Sequence, residues 1–265
     1  MLLSDEDFTA QFNKALYELG NEAFNIQFSA EQSPDERPVG LRMSSMGNCA
    51  RQLYYRVAYP MEIQFSTSWQ TVMGYAGQDV IANVLRRMGY TLSDEEKEVF
   101  FVVPGHVDGV LTGHDLGPLR AIWDSKIRNS FAYKDLVVKG LPAGEPGMYL
   151  QQQGYIKATK ADMAILTIMP FDITDTRSRL RQSKVEFTAG ILRIILKPDK
   201  EAHALIEERA TMVLLAVKLK LIPVREYDPF ITTFPCGFCE YKSRCMKDGQ
   251  TEEFVVAPIP EKWLA

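Results

Sequence analysis

Apolar positions recur every three to four residues over 4–19, where Phe8, Phe12, Leu16 and Leu19 fall on one face behind Ser4, a capping residue. That spacing predicts an amphipathic helix. A short helix carrying Cys49, Leu53 and Tyr54 is expected after Ser44 and Ser45, and a longer one over 68–88. The pattern then turns extended. Residues 97–103 (KEVFFVV) and 106–112 (HVDGVLT) read as the strands of a hairpin joined by Pro104 and Gly105. A third strand is expected over 119–127, a helix over 147–160 and a buried strand over 162–169. Residues 184–196 read as extended and broken near Gly190, and 199–219 as a long helix with an apolar face. Residues 30–40 are a polar, proline-containing loop. Short, mixed connections between strands predict an α/β fold around a mixed sheet.

The chain has 265 residues, 46% hydrophobic and 24% charged. This is ordinary globular composition, compatible with one domain over 1–265, and it excludes a collagen, a coiled coil and a wholly disordered chain. No apolar run approaches the roughly 18–20 residues of a membrane span. The acidic start, MLLSDEDF, lacks the apolar stretch of a secretory signal, so a cytoplasmic protein with no membrane partner is expected. Net charge is −4, so any polyanion has to be met by a local basic surface.

Four cysteines, Cys49, Cys236, Cys239 and Cys245, are the whole complement. In a reducing compartment such a cluster points to metal or redox chemistry rather than to disulfides. Four thiolates suit an iron–sulfur cluster or a tetrahedral zinc, and three local cysteines with one distant partner are less typical of zinc. The bland reading is a chance pair of reduced thiols with Cys49 buried in a core.

Asp124 and Lys126 are two residues apart on an expected strand and so share a face, and Asp108 of the preceding strand can converge on it. Two carboxylates bind a hard divalent cation through oxygen, and a lysine beside them can hold water or offset charge on a phosphate. A solvated strand edge is the alternative, but Asp108 sits between glycine and apolar residues, which is unusual for a surface charge.

The order GHVDGV around Asp108, DSK over 124–126 and QQQGY ending at Tyr155 resembles the second, third and QxxxY motifs of RecB-like nucleases in the PD-(D/E)XK superfamily. SSMGNCARQLYYR around Cys49 and PCGFCEYKSRC over 235–245 resemble the cysteine segments of its iron–sulfur branch, which includes CRISPR-associated adaptation exonucleases and AddB-type nuclease subunits. The resemblance spans 44–245. It implies a restriction-endonuclease-like core, with a cluster flap formed by 44–60 together with 230–250 and an N-terminal helix and loop over 1–40. It implies that Asp108 and Asp124 ligate Mg²⁺ or Mn²⁺, that Lys126 activates or positions water, and that Gln151 and Tyr155, one helical turn apart, position DNA. It implies a [4Fe–4S] cluster on Cys49, Cys236, Cys239 and Cys245. The implied activity is exonucleolytic hydrolysis of DNA, on single strands or ends, in recombination, repair or phage DNA metabolism. A homo-oligomer or a recombination complex is the implied assembly.

One position departs from the pattern. Gln78 of GYAGQ stands where the family often has a metal-ligating histidine; its amide oxygen is a weaker ligand, with His106 as a substitute candidate. The departure keeps open a weakly active or inactive DNA-binding subunit. A zinc-stapled interaction protein is the second rival. Arg177, Arg179 and Arg181, if extended, would project from one face and grip phosphates, or else form a solvated loop beside Asp172 and Asp175.

Overall fold

The computed structural model describes residues 2–21, 40–60, 69–183, 191–228, 230, 235–249 and 254–263. The expected loop over 30–39 and extended segment over 184–190 lie outside them, as does the side chain of Leu19.

The chain opens with α1 (Asp5–Asn21), where the Asp7 backbone N–H donates to the Ser4 hydroxyl at 3.1 Å and Phe8 and Phe12 are buried. Next come α2 (Ala50–Ala58) and α3 (Trp69–Arg87). Five strands follow: β1 (Tyr90–Ser93), β2 (Lys97–Phe101), β3 (Val103–Val107), β4 (Gly109–Gly113) and β5 (Ala121–Arg128). Then come α4 (Ser130–Lys139), α5 (Pro146–Thr159), β6 (Met163–Pro170), α6 (Ile173–Gln182), β7 (Leu192–Leu196), α7 (Lys200–Leu219) and the short α8 (Lys242–Lys247).

The main sheet has the order β1-β4-β5-β6-β7, with β5 and β6 parallel and the other pairs antiparallel. It is therefore the mixed sheet expected, flanked by helices. One face carries Trp123 and Ile165 against Phe8, Phe12 and the α3 residues Ile81 and Leu85. The other carries Ile122, Leu166 and Ile168 against α2, α5 and α7. Burial on both faces explains why β6 reads as a run that is apolar except for Thr167. Among the described residues no helix is long and apolar enough to cross a membrane.

The hairpin departs from expectation. Its turn lies at Val102 (φ +52°), and Pro104 and Gly105 sit inside β3, paired with Phe100 and Val99. Proline is tolerated because β2 and β3 form a ladder of only two strands. Gly105 answers packing rather than turning, since a Cβ there would stand 2.5 Å from the Tyr155 ring. The expected second strand is also split, with Asp108 at the bend between β3 and β4 rather than within a strand. Sequence reasoning missed β1, α4 and α6. The segment holding Arg177, Arg179 and Arg181 is helical, so these residues do not line one extended face. Arg179 instead pairs with Asp175 at 2.8 Å and stacks over Phe131 at 3.5 Å.

Two fully buried arginines join the chain's beginning to its end. Arg209 donates to the carbonyls of Met46 (3.2 Å), Asn48 (2.7 Å) and Ala257, and pairs with Glu226 at 3.2 Å. Arg51 donates to Pro223 (2.8 Å) and Gly249 (2.6 Å). Neither charge is wasted, because each satisfies carbonyls that burial would otherwise orphan.

Arg209→Met keeps the volume but strands those acceptors and the Glu226 carboxylate. We expect a loss of about 3–5 kcal/mol in urea unfolding, against less than about 0.5 kcal/mol for Arg181→Met on the exposed side of α6. Equal midpoints for the two variants would remove Arg209 from its stapling role.

Candidate active site and cysteine cavity

The strand register sets the first site. Gly109 pairs with Trp123, so the next step of the β4–β5 ladder places Asp108 opposite Asp124. Alternation along β5 then puts Asp124 and Lys126 on the face that carries Ile122. The Lys126 Nζ lies 2.7 Å from Asp124 Oδ2 and 3.8 Å from Asp108 Oδ2. The Ser125 backbone N–H donates to Asp108 Oδ2 at 2.9 Å. The three residues singled out in the sequence thus converge.

Asp124 is 1% exposed, and its Oδ1 has no hydrogen-bond partner among the described residues. A buried carboxylate oxygen without a partner costs folding free energy unless a water or an ion meets it. Burial, with the Asp124 charge adding to it, pushes the Asp108 carboxyl up to about 7, against the lowering pull of Lys126 and the Ser125 N–H. Burial alone would lower the Lys126 pKa. The carboxylates of Asp124 and Asp108 outweigh it and hold the ammonium above its ordinary value.

Helix α5 lies over this face. Gln151 donates to the Tyr155 hydroxyl at 2.9 Å, as their one-turn spacing anticipates. Tyr155 rests on Gly105, and burial raises its pKa, with Asp124 and Asp108 adding to the rise. His106 Nδ1 is buried without a partner among the described residues. Gln78 lies on α3, where its amide donates to Glu96 Oε1 at 3.1 Å. Sequence reasoning gave no role to Glu96, whose charge also raises Asp108.

The second site is a cavity lined by all four cysteines together with Arg51, Tyr55 and Arg225. Cys49 precedes α2 rather than lying inside it. Every cysteine is free and partly buried. Burial pushes Cys239 up to about 11 and raises Cys49 and Cys236. Arg51 Nη1 lies 3.8 Å from Cys245 Sγ. Among the described residues, no group of three or more His, Cys, Asp or Glu forms a ready-made metal cage.

No family profile and no curated protein matches the sequence. Among solved structures, the chain is similar to a phage-related exonuclease from Haemophilus somnus 129PT, with 16% identity, 69% of this chain and 95% of that one covered, and TM-score 0.48. It is similar to the alkaline exonuclease LHK-Exo from Laribacter hongkongensis, with 12% identity, 69% and 89% covered, and TM-score 0.46. It is also similar to the protein SSO0001, with 16% identity, 92% and 98% covered, and TM-score 0.47.

The raised Asp108 pKa fixes the sign of a stability effect. The folded carboxyl keeps its proton to about 7, whereas its ordinary value is 3.8, so stability falls as pH rises between those values. Asp108→Asn removes the penalty. In chelator, its stability relative to the native protein should improve by about 2 kcal/mol from pH 5 to pH 8. Thermal melts at both values check this; a relative stability independent of pH contradicts it.

Proposed function

We propose that this protein is a divalent-metal-dependent deoxyribonuclease that hydrolyses phosphodiester bonds from the ends of DNA, with single strands or ends as substrate. One observation carries the reading: the Asp124 carboxylate, buried with Oδ1 unpartnered, beside both Asp108 and the Lys126 ammonium. The oxygen-only donor set fits Mg²⁺ or Mn²⁺. Asp108 and Asp124 would hold the ion, which supplies Lewis acidity toward the phosphate and lowers the pKa of water.

The chain's own groups do the rest. Without a cation the Asp124 and Asp108 carboxylates hold Lys126 protonated; beside the ion its ammonium would orient water and offset phosphate charge. Gln151 and Tyr155 present an amide and a hydroxyl over the same face and position the strand. Asp108 must be ionised to bind a cation, so metal binding competes with its proton and releases it.

The cysteine cavity supports a [4Fe–4S] cluster on Cys49, Cys236, Cys239 and Cys245, the donor set such a cluster takes. Its role is structural in this reading, joining the segment after residue 44 to the one before residue 250. Neutral thiols are favoured there without a cation, so cluster loading releases protons.

The test uses anaerobically purified protein and end-labelled single- and double-stranded DNA. Asp124→Asn and Lys126→Ala should each lower cleavage at least about 100-fold with absorbance unchanged; Asp124→Asn should melt near the native protein, and Lys126→Ala, which strips the counter-charge from Asp124, should melt earlier. Full activity in Lys126→Ala would dismiss this site. DNA binding without cleavage in the native protein would favour a non-cleaving DNA-binding subunit. In the same preparations Cys49→Ser should lose iron and melt earlier. Unchanged iron content would remove Cys49 from the cluster.

A further inference from the structure

The face of β5 that carries Asp124 and Lys126 continues to Arg128. Neighbours on that face stand two residues apart, about 6.6 Å, a spacing that suits successive phosphates of an extended strand. Arg128 donates to Glu145, at the start of α5, from Nε at 2.7 Å and from Nη2 at 2.9 Å. The chain then enters α4 directly, with Asn129 as its cap. Tyr133 and Leu136 of α4 and Leu180 of α6 pack in the cluster that holds Ile122 and Leu166, so both helices flank the face of Asp124.

Phe131, in the first turn of α4, is 60% exposed. A lone exposed phenyl is ordinary; this one is built upon. Arg179 of α6 lays its guanidinium 3.5 Å from the ring centroid. The Arg179 Nε donates to Ser130 Oγ at 2.9 Å and to Asp175 Oδ2 at 2.8 Å, and the Ser130 hydroxyl donates to the same carboxylate. Groups on both helices thus fix the plane from its inner edge, and the terminal nitrogens lie outside that network. One ring face meets Arg179, and the exposure that remains belongs to the other.

A phenyl ring and a guanidinium are each a plane on which a nucleobase stacks whatever its sequence. The carboxylate partners of Arg128 and Arg179 are partly exposed, and such ion pairs are weak enough for a phosphate to compete. We propose that Phe131 and Arg179 form a stacking platform for an unpaired base of the DNA strand, with Arg128 holding a phosphate between the platform and the Asp108–Asp124 site. This rests on the deoxyribonuclease reading above and adds a substrate requirement to it. The strand beside the cleaved bond has to be single, because a duplex keeps its bases stacked on one another.

Anisotropy of a fluorescein-labelled single-stranded oligonucleotide, titrated with full-length protein in chelator so that nothing is cleaved, tests this. Phe131→Leu keeps an apolar side chain without a π face and should weaken binding at least about fivefold. Phe131→Trp should bind at least as tightly as the native protein, and both variants should melt with it. Arg179→Lys, which keeps the charge but not the plane, should weaken binding in the same direction. An oligonucleotide of the same length made of abasic nucleotides should bind Phe131→Leu and the native protein equally. Native affinity for the normal strand in Phe131→Leu overturns the platform, as does weak binding by Phe131→Trp. An equal loss on the abasic strand overturns it too, since the phenyl would then be a contact indifferent to bases, and so does a native protein that binds no single strand. In each of these cases cleavage by the native protein with Mg²⁺ leaves the deoxyribonuclease reading standing. Absence of that cleavage brings down the reading as well.

Discussion

A carboxylate buried at the centre of a sheet is the constraint around which this molecule is organised. Asp124 sits on β5, between β4 and β6, at 1% exposure. An isolated charge there would cost several kcal/mol. The neighbours meet that cost in part. Lys126 supplies the counter-charge from the same strand face, and Asp108 yields by favouring its protonated form. In the proposed reading, a divalent cation would displace the proton from Asp108 and meet both carboxylates. Stability and function are therefore opposed at these residues, as expected where a fold carries a reactive centre.

The second organising element is distant in sequence but not in space. Cys49 lies between Asn48, whose carbonyl accepts from Arg209, and Arg51, which reaches Pro223, Gly249 and Cys245. The two guanidiniums thus close the chain on itself around the cysteines using protein groups alone. A cluster on four thiolates would reinforce a closure that the arginines already make. The same arginines keep α2 and α7 in place on the sheet face that carries Asp124. Through that packing the cysteine region backs the face on which α5 presents Gln151 and Tyr155.

Much of this was legible in the residues because strong periodicity reports burial directly. The apolar stripes of α1 and α7 and the largely apolar run of β6 correspond to observed elements. The Asp124–Lys126 spacing fixed a shared face as soon as β5 was a strand. Local signals failed where tertiary contact decided. Pro104 and Gly105 look like a turn, yet Gly105 is a landing place for Tyr155 and the turn falls on Val102. Helix α6 carries few apolar residues, and its alternating arginines imitate a strand, but an Asp172 cap and packing against α4 make it helical.

In the proposed reading a divalent cation is seated between Asp108 and Asp124. Crystals soaked in Mn²⁺ and measured at the manganese absorption edge test it most directly. The account predicts one strong anomalous peak about 2.0–2.3 Å from carboxylate oxygens of both residues, with the Lys126 ammonium moved off Asp124 Oδ2. A map with no peak there, or with Mn²⁺ bound only elsewhere, would contradict it.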